Sequence, residues 1–401
     1  MSSPDLTDAE RQAVLAVLNT PELSMGPQLR AFEKAFTDFT GLKHAIGVNS
    51  GTAGLHLCVR AAGIGENDMV LTTPFSFVAS TNVLLFEKAI PVFVDVDPRT
   101  GNIDPVLFTE AVQDLAGGGG NNNRRWLPRQ GAKSPGPLKA ALVVDVFGQP
   151  AVWDQIRKKT GELGLTTIED SCEALGAEYK GHKAGTLGDY GVFAFYPNKQ
   201  ITTGEGGVIV TNDGQATELM RALRNQGRAP GDTWLSHTYL GYNYRLDEMS
   251  AALGAAQMIR VDELLHKREL VAAWYGDRLA EIPGAEAPVV ETFTTRMSWF
   301  VYVVRFAPQL DRDALAKRLE ARGVPVRPYF LPIHLQPYMV ERFGYREGDY
   351  PVTEDLGRRG LALPFSGVMT EEQVDVVCRT LHEEIGKSKY LWPIFLLPVM
   401  D

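Results

Sequence analysis

The chain has 401 residues, enough for two domains with a sizeable core, and its 44% hydrophobic and 22% charged residues are ordinary for a globular protein in water. A net charge of −9 excludes the basic surface that nucleic-acid binding or anionic-membrane docking needs. Three cysteines (Cys58, Cys172 and Cys378) without CxxC spacing exclude a disulfide framework and a thiolate metal site, and predict reduced thiols in the cytoplasm.

In chain order, Met1-Ser2-Ser3-Pro4-Asp5 lacks the basic-then-apolar order of a signal peptide. Short runs rich in Val, Ile and Phe at residues 44–48, 69–72, 90–94, 140–144, 166–168, 191–195 and 207–211 read as buried strands. Residues 53–62, 76–86 and 152–163 between them read as helices. The alternation predicts an α/β domain over residues 1–264, its mainly parallel central sheet sandwiched by helices. Residues 117–137 read as a flexible surface insertion, in which a phosphate contact by Arg124 and Arg125 is the less favoured alternative. A long helical region is expected over 247–279, then strands at 299–304 and 327–330 and helices at 311–322 and 371–386. These form a smaller α+β C-terminal domain over 265–401. The apolar tail from Tyr390 to Met400 contains Pro393 and Pro398 and is shorter than a membrane span of roughly 20 residues, so it is expected to pack on protein.

Four segments carry chemistry. Asn49-Ser50-Gly51-Thr52 follows a strand and opens a helix, where Gly51 admits close backbone approach and Thr52 adds a hydroxyl among free amides. Alone it reads more readily as an ordinary helix cap; the phosphate reading is favoured only in company with Lys199 and Asp170. Thr73-Pro74-Phe75-Ser76-Phe77 offers an aromatic for stacking on a ligand ring, Phe77 being the candidate, with Phe75 as a plain core residue the competing reading. Asp170 ends a strand, at the sheet edge where open α/β folds bind ligands, and Glu173 follows three residues on; Glu169 reads as structural. Lys199 precedes the turn Thr203-Gly204-Glu205-Gly206-Gly207. A lysine amine that holds an aldehyde as a Schiff base, with a carboxylate that keeps a pyridine nitrogen protonated, is the pairing pyridoxal 5'-phosphate (PLP) chemistry requires.

Together these segments resemble the DegT/DnrJ/StrS family of sugar aminotransferases, of the aspartate-aminotransferase-like fold (PLP fold type I). The likeness covers nearly the whole chain. It also includes Asp95-Val96-Asp97-Pro98, Phe147-Gly148-Gln149-Pro150, Gly241-Tyr242-Asn243-Tyr244-Arg245 and Pro332-Ile333-His334-Leu335-Gln336-Pro337. The resemblance implies that Lys199 is catalytic and binds the aldehyde, Asp170 pairs with the ring nitrogen, Gly51 and Thr52 hold the phosphate, and Phe77 stacks on the ring. It places Glu173 near the cofactor's phenolic oxygen or a substrate hydroxyl. It implies a homodimer in which Asn243 reaches the phosphate in the neighbouring subunit, and sets His334 near the sugar, a fixed surface histidine being the alternative.

Two departures stand out. Ala194 occupies a position where the family often has a phosphate-binding serine, and Tyr196 or Asn198 could take over that contact. Glu173 stands where Gln or His is frequent, bringing a carboxylate beside the phenolate unless one group is protonated. A dehydratase branch has histidine at the lysine position, so Lys199 favours transamination. The expected activity is amino transfer from glutamate (or glutamine) to a keto-sugar, nucleotide-linked and 4-keto rather than 3-keto, alternating PLP with pyridoxamine 5'-phosphate. A PLP-binding regulatory protein without turnover is the alternative.

Overall fold

The computed structural model describes residues 3–116, 124–132 and 134–389. Its central sheet begins with β1 (His44–Val48), β2 (Met69–Thr72), β3 (Ile90–Phe93), β4 (Leu138–Val144) and β5 (Thr166–Asp170). A short hairpin, β6 (Glu178–Tyr179) and β7 (His182–Lys183), precedes the last two central strands, β8 (Tyr190–Ala194) and β9 (Gly207–Thr211). The order is β1-β9-β8-β5-β4-β2-β3, with β9 alone antiparallel to its neighbours. All four residues of β2 and of β3 are buried, as apolar parallel strands covered on both faces should be.

Alternation assigns the faces. Ala140, Leu142 and Val144 join one cluster with the Gly51–Ala61 helix and the Gly214–Arg224 helix. Ala141 and Val143 turn to the opposite face, under the Pro105–Ala116 and Trp153–Leu163 helices. The β1-β9-β8 side of that face is covered by the Pro27–Thr40 and Glu248–Ile259 helices through Phe32, Phe36 and Ala251. Each fully buried side chain of this size contributes roughly 1.5–3 kcal/mol, so the sheet is a rigid platform for its edge. At that edge the parallel strands end together, at Val48, Thr72, Val144, Asp170 and Ala194.

A second sheet holds β10 (Ala285–Glu286), whereas β11 (Thr294–Arg296) instead pairs with β6. β12 (Tyr302–Phe306), β13 (Arg327–Pro328) and β14 (Gly360–Leu363) complete it in the antiparallel order β10-β12-β14-β13. The expected helical region 247–279 is two helices, Glu248–Ile259 and Val261–Leu279, broken at Arg260. Arg260 holds Asp5, Glu10 and Glu263 in ion pairs there. The second helix bridges both sheets, with Leu264 and Leu265 in the large-sheet core and Val271, Tyr275 and Leu279 in the small-sheet core. The strand expected at 299–304 starts only at Tyr302, because Trp299 takes a left-handed φ of 50° that no strand accommodates.

Of the insertion, Trp126 is buried against the central sheet's core, Arg125 pairs with Glu110, and Arg129 with Asp349. Residues 117–123 and 133, and the tail from 390, lie outside the described residues. Among the described residues no helix is long and apolar enough to cross a membrane, and no cluster of three metal-ligating side chains occurs.

Candidate active site

The connection between β8 and β9 reverses direction within a dozen residues, which confines Lys199 to the edge where the parallel strands end. Its turn closes through the Lys199 N–H on the Tyr196 carbonyl (2.9 Å), while the Thr203 and Phe195 backbones bond at 3.0 Å. Arg268 ties this turn down. Its guanidinium is buried and donates to the carbonyls of Lys199 (2.7 Å), Trp299 (3.2 Å) and Phe300 (3.3 Å), and burial pushes its pKa down to about 10. The Trp299–Phe300 segment is thereby held over the lysine, whose Nζ sits 3.8 Å from the Phe300 ring centre.

Lys199 Nζ faces Glu173 Oε1 at 3.7 Å, a loose ion pair between two nearly buried side chains. The other Glu173 oxygen accepts the Phe147 N–H at 3.0 Å. Burial pushes the Glu173 carboxyl pKa up, against the lowering effect of Lys199 and of that N–H. The Glu173 carbonyl accepts from Gln200 (2.6 Å), whose amide also bonds Ser298, so the two segments flanking the amine are cross-linked.

Asp170 is buried at the end of β5, accepting Ser80 Oγ (2.8 Å) and the Cys172 N–H (3.2 Å), with no ion pair to a basic side chain among the described residues. A buried carboxylate with two neutral donors and no cation is an incomplete arrangement. The Gly51–Ala61 helix begins beside it. Ser50 Oγ caps it by accepting from the Ala53 N–H (3.1 Å), leaving the first amides at its mouth without that cap. A Cβ on Gly51 would stand 2.6 Å from the Ala194 Cβ and 3.0 Å from Cys172 Sγ, so glycine is required by close approach. Gly51, Ala194, Cys172 and Asp170 therefore converge on one rim, with Lys199 and Glu173 on the adjoining one.

The remaining candidates divide. Phe75 is core, edge-on to Phe147 and Phe330, whereas Phe77 is 62% exposed and its ring is free to meet a ligand. Thr52 is half-buried at the helix mouth. Tyr196 is exposed, and Asn198 has a buried Oδ1 without a partner among the described residues. Asn243 is exposed; its carbonyl accepts from the Asn49 side chain at 3.2 Å. The flanking Tyr242 and Tyr244 stack at 4.9 Å and are anchored to the Gly51–Ala61 helix by Tyr244–His56 (3.0 Å) and Tyr242–Arg60 (3.1 Å) hydrogen bonds. His334 is fully buried, with Nε2 on Glu354 at 3.0 Å and Nδ1 without a partner among the described residues. Its turn is pinned to the Phe75–Phe77 turn by the Ile333 N–H on the Pro74 carbonyl (2.8 Å). Ser80, Arg268, Phe147 and Phe300 were not visible as site residues in the sequence, since their roles come from partners far away in the chain.

Residues 4–382 match the DegT/DnrJ/EryC1/StrS aminotransferase family. The chain belongs to this family. As an aminotransferase of that family it is 37% identical over 386 residues to the GDP-perosamine synthase of Caulobacter vibrioides, covering 96% of this chain and 97% of the relative. It is 31% identical to the GDP-perosamine synthase of Escherichia coli O157:H7 (95% of this chain, 96% of the relative). Among solved structures, S. venezuelae DesV in complex with a ketimine intermediate superimposes with TM-score 0.82 at 32% identity, covering 93% of each chain. Helicobacter pylori PseC, an aminotransferase of pseudoaminic acid biosynthesis, superimposes with TM-score 0.85 at 27% identity, over 96% and 98% of the two chains.

The family's cofactor, PLP, fits the residues present. Three of its polar features are an anionic phosphate, a basic ring nitrogen and an aldehyde. A helix mouth kept open by a required glycine, a buried carboxylate lacking a cation, and a nearly buried amine answer them in turn.

Proposed function

We propose that this aminotransferase moves an amino group from glutamate to the keto carbon of a nucleotide-linked sugar, with PLP as cofactor. Relatives named GDP-perosamine synthase favour a GDP-linked acceptor, and the family resemblance of the Thr202–Gly207 turn favours a 4-keto over a 3-keto sugar. The observation that carries the reading is the Lys199 amine, nearly buried 3.7 Å from a single carboxyl at the strand-end edge.

Bound PLP supplies the electron sink for breaking a bond at the donor's α-carbon. Lys199 Nζ would hold the aldehyde and, as a free amine, would accept the proton leaving the donor's α-carbon and later return it to the carbon that receives the amino group. Asp170 keeps the ring nitrogen protonated, while the amides at Gly51 and Thr52 hold the phosphate. The Ala194 methyl group cannot supply a hydroxyl to that phosphate, which leaves more of its binding to the helix mouth. Glu173, its pKa pushed up by burial against the lowering effect of Lys199, would face the cofactor's phenolic oxygen. Phe77 covers a face of the ring. Asn243, exposed and presented by the two anchored tyrosines, reaches the phosphate of a second subunit in a homodimer. His334 acts at the sugar side, its buried Nδ1 being without a partner among the described residues.

The test is a panel of 3-keto and 4-keto nucleotide sugars with glutamate, following 2-oxoglutarate release. Turnover with GDP-linked 4-keto sugars is expected; PLP uptake without turnover on any acceptor would instead favour a regulatory protein.

A further inference from the structure

We infer that Ser80, backed by Ser76, is a positioning residue for Asp170, so that one turn sets both the carboxylate and the stacking aromatic of the site. The inference rests on the cofactor reading above and extends it to two serines given no role there.

Pro74 ends the strand before it, and Thr73 Oγ1 accepts the Phe75 N–H at 3.1 Å, folding residues 73–78 into a turn that leads into the Ala79–Phe86 helix. Ser80 is 1% exposed and Ser76 5% exposed, so neither hydroxyl is satisfied by solvent. A serine has one proton to donate. For Ser80 the acceptors are Asp170 Oδ2 at 2.8 Å and the Phe77 carbonyl at 3.3 Å, and the shorter contact to a carboxylate wins. The Ser80 oxygen then accepts from Ser76 Oγ at 3.0 Å, giving a directional chain Ser76→Ser80→Asp170. Phe77 lies between the two serines in the sequence, and its carbonyl is the secondary acceptor. The hydroxyl chain therefore fixes the orientation of the carboxylate from the same turn that carries the exposed Phe77 ring.

The Ser80 hydroxyl would orient the Asp170 carboxylate toward the ring nitrogen of bound PLP, a charge-assisted contact that would favour the protonated ring; without that donor the contact, and electron withdrawal by the ring, would weaken.

The experiment compares Ser80→Ala, Ser80→Thr and Ser76→Ala in the PLP-loaded protein, alone and in an Asp170→Asn background, with thermal unfolding as the fold control. Ser80→Ala is expected to weaken PLP retention roughly tenfold, the scale of a hydrogen bond to a charged group, and to raise the pH midpoint of the visible absorbance change. Ser80→Thr, which keeps the hydroxyl, restores both; Ser76→Ala moves both in the same direction by less; Asp170→Asn removes the effect of either alanine. An unmoved midpoint in folded Ser80→Ala, or an equal shift with Asn at 170, overturns the inference. Should Ser80→Ala not fold, an unmoved midpoint in Ser76→Ala does so. Wild-type protein that takes up no PLP overturns the proposed function as well, whereas PLP uptake with an unmoved midpoint overturns this inference alone.

Discussion

Glu169 and Asp170 are neighbours on β5, both buried carboxyls, yet their surroundings are opposite. Glu169 accepts the N–H groups of Gly185 (2.6 Å), Leu187 (2.7 Å) and Gly188 (2.9 Å). Asp170, turned to the other face by the two-residue period of the strand, accepts Ser80 Oγ and the Cys172 N–H and has no basic partner among the described residues. A buried acid with its lone pairs filled by backbone is a fastening: it fixes the 185–188 turn beneath the sheet. A buried acid left short of partners is a place for a ligand's positive charge. The same strand thus supplies a structural carboxyl and a functional one, and satisfaction of hydrogen bonds tells them apart.

The comparison breaks most visibly at Asp170. Asp170→Asn removes the charge with little change in volume, and turnover is expected to fall at least about a hundredfold, as when general acid–base help is lost, with little change in melting temperature. A melting temperature that falls while kcat/KM holds would reverse the two roles. Glu169→Gln should do the opposite. Its amide would turn a donor toward backbone N–H groups, costing about 1–3 kcal/mol of stability, while PLP affinity in the folded protein holds. Chemical denaturation and PLP titration separate the two.

Gly51→Ala sharpens the geometry of the functional side. The new methyl group has no room against Ala194, so the helix mouth must shift, at about 1–3 kcal/mol of overpacking, and PLP release should quicken before stability is lost. Unchanged PLP release would remove the helix mouth from the phosphate site.

A smaller effect concerns the structural side. Asp145, held by Ser171 (2.8 Å) and the Ala151 N–H (3.0 Å), has its pKa pushed up by burial to about 6, and burial together with Asp145 pushes Glu169 up as well. The folded state therefore keeps a proton that the unfolded chain has already lost, from its ordinary value of 3.8 upward. The associated stabilisation is complete below that value and is lost as pH rises through about 6. Asp145→Asn should flatten this part of a melting-temperature profile. A profile that rises over the same range in the wild type and is unaltered by the substitution would contradict the shared burial of the two acids.

Much of this was legible in the sequence because buried parallel strands write their pattern locally. Residues 44–48, 69–72 and 207–211 form strands with the expected bounds. The edge that gathers Asp170, Lys199 and Gly51 follows from strand polarity. What escaped the sequence depends on distant partners or on backbone conformation. Ser80 reads as one more polar residue in a helix until it meets Asp170, 90 positions away. Arg268 reads as a charged residue on a helix surface, yet it is buried among carbonyls that hold the lysine turn. The left-handed Trp299, which shortens β12 and helps bring Phe300 over the amine, carries no glycine to announce it. The break at Arg260 was hidden because a helix pattern continues on both sides of it.

The most direct measurement follows the visible absorbance of purified protein given PLP, then glutamate, then a GDP-linked 4-keto sugar. The account predicts a lysine-bound PLP band that falls with glutamate and returns with the keto-sugar, and neither band nor turnover in Lys199→Ala. A PLP-loaded Lys199→Ala protein that cycles like the wild type, or a wild-type protein that forms no such band, would contradict it.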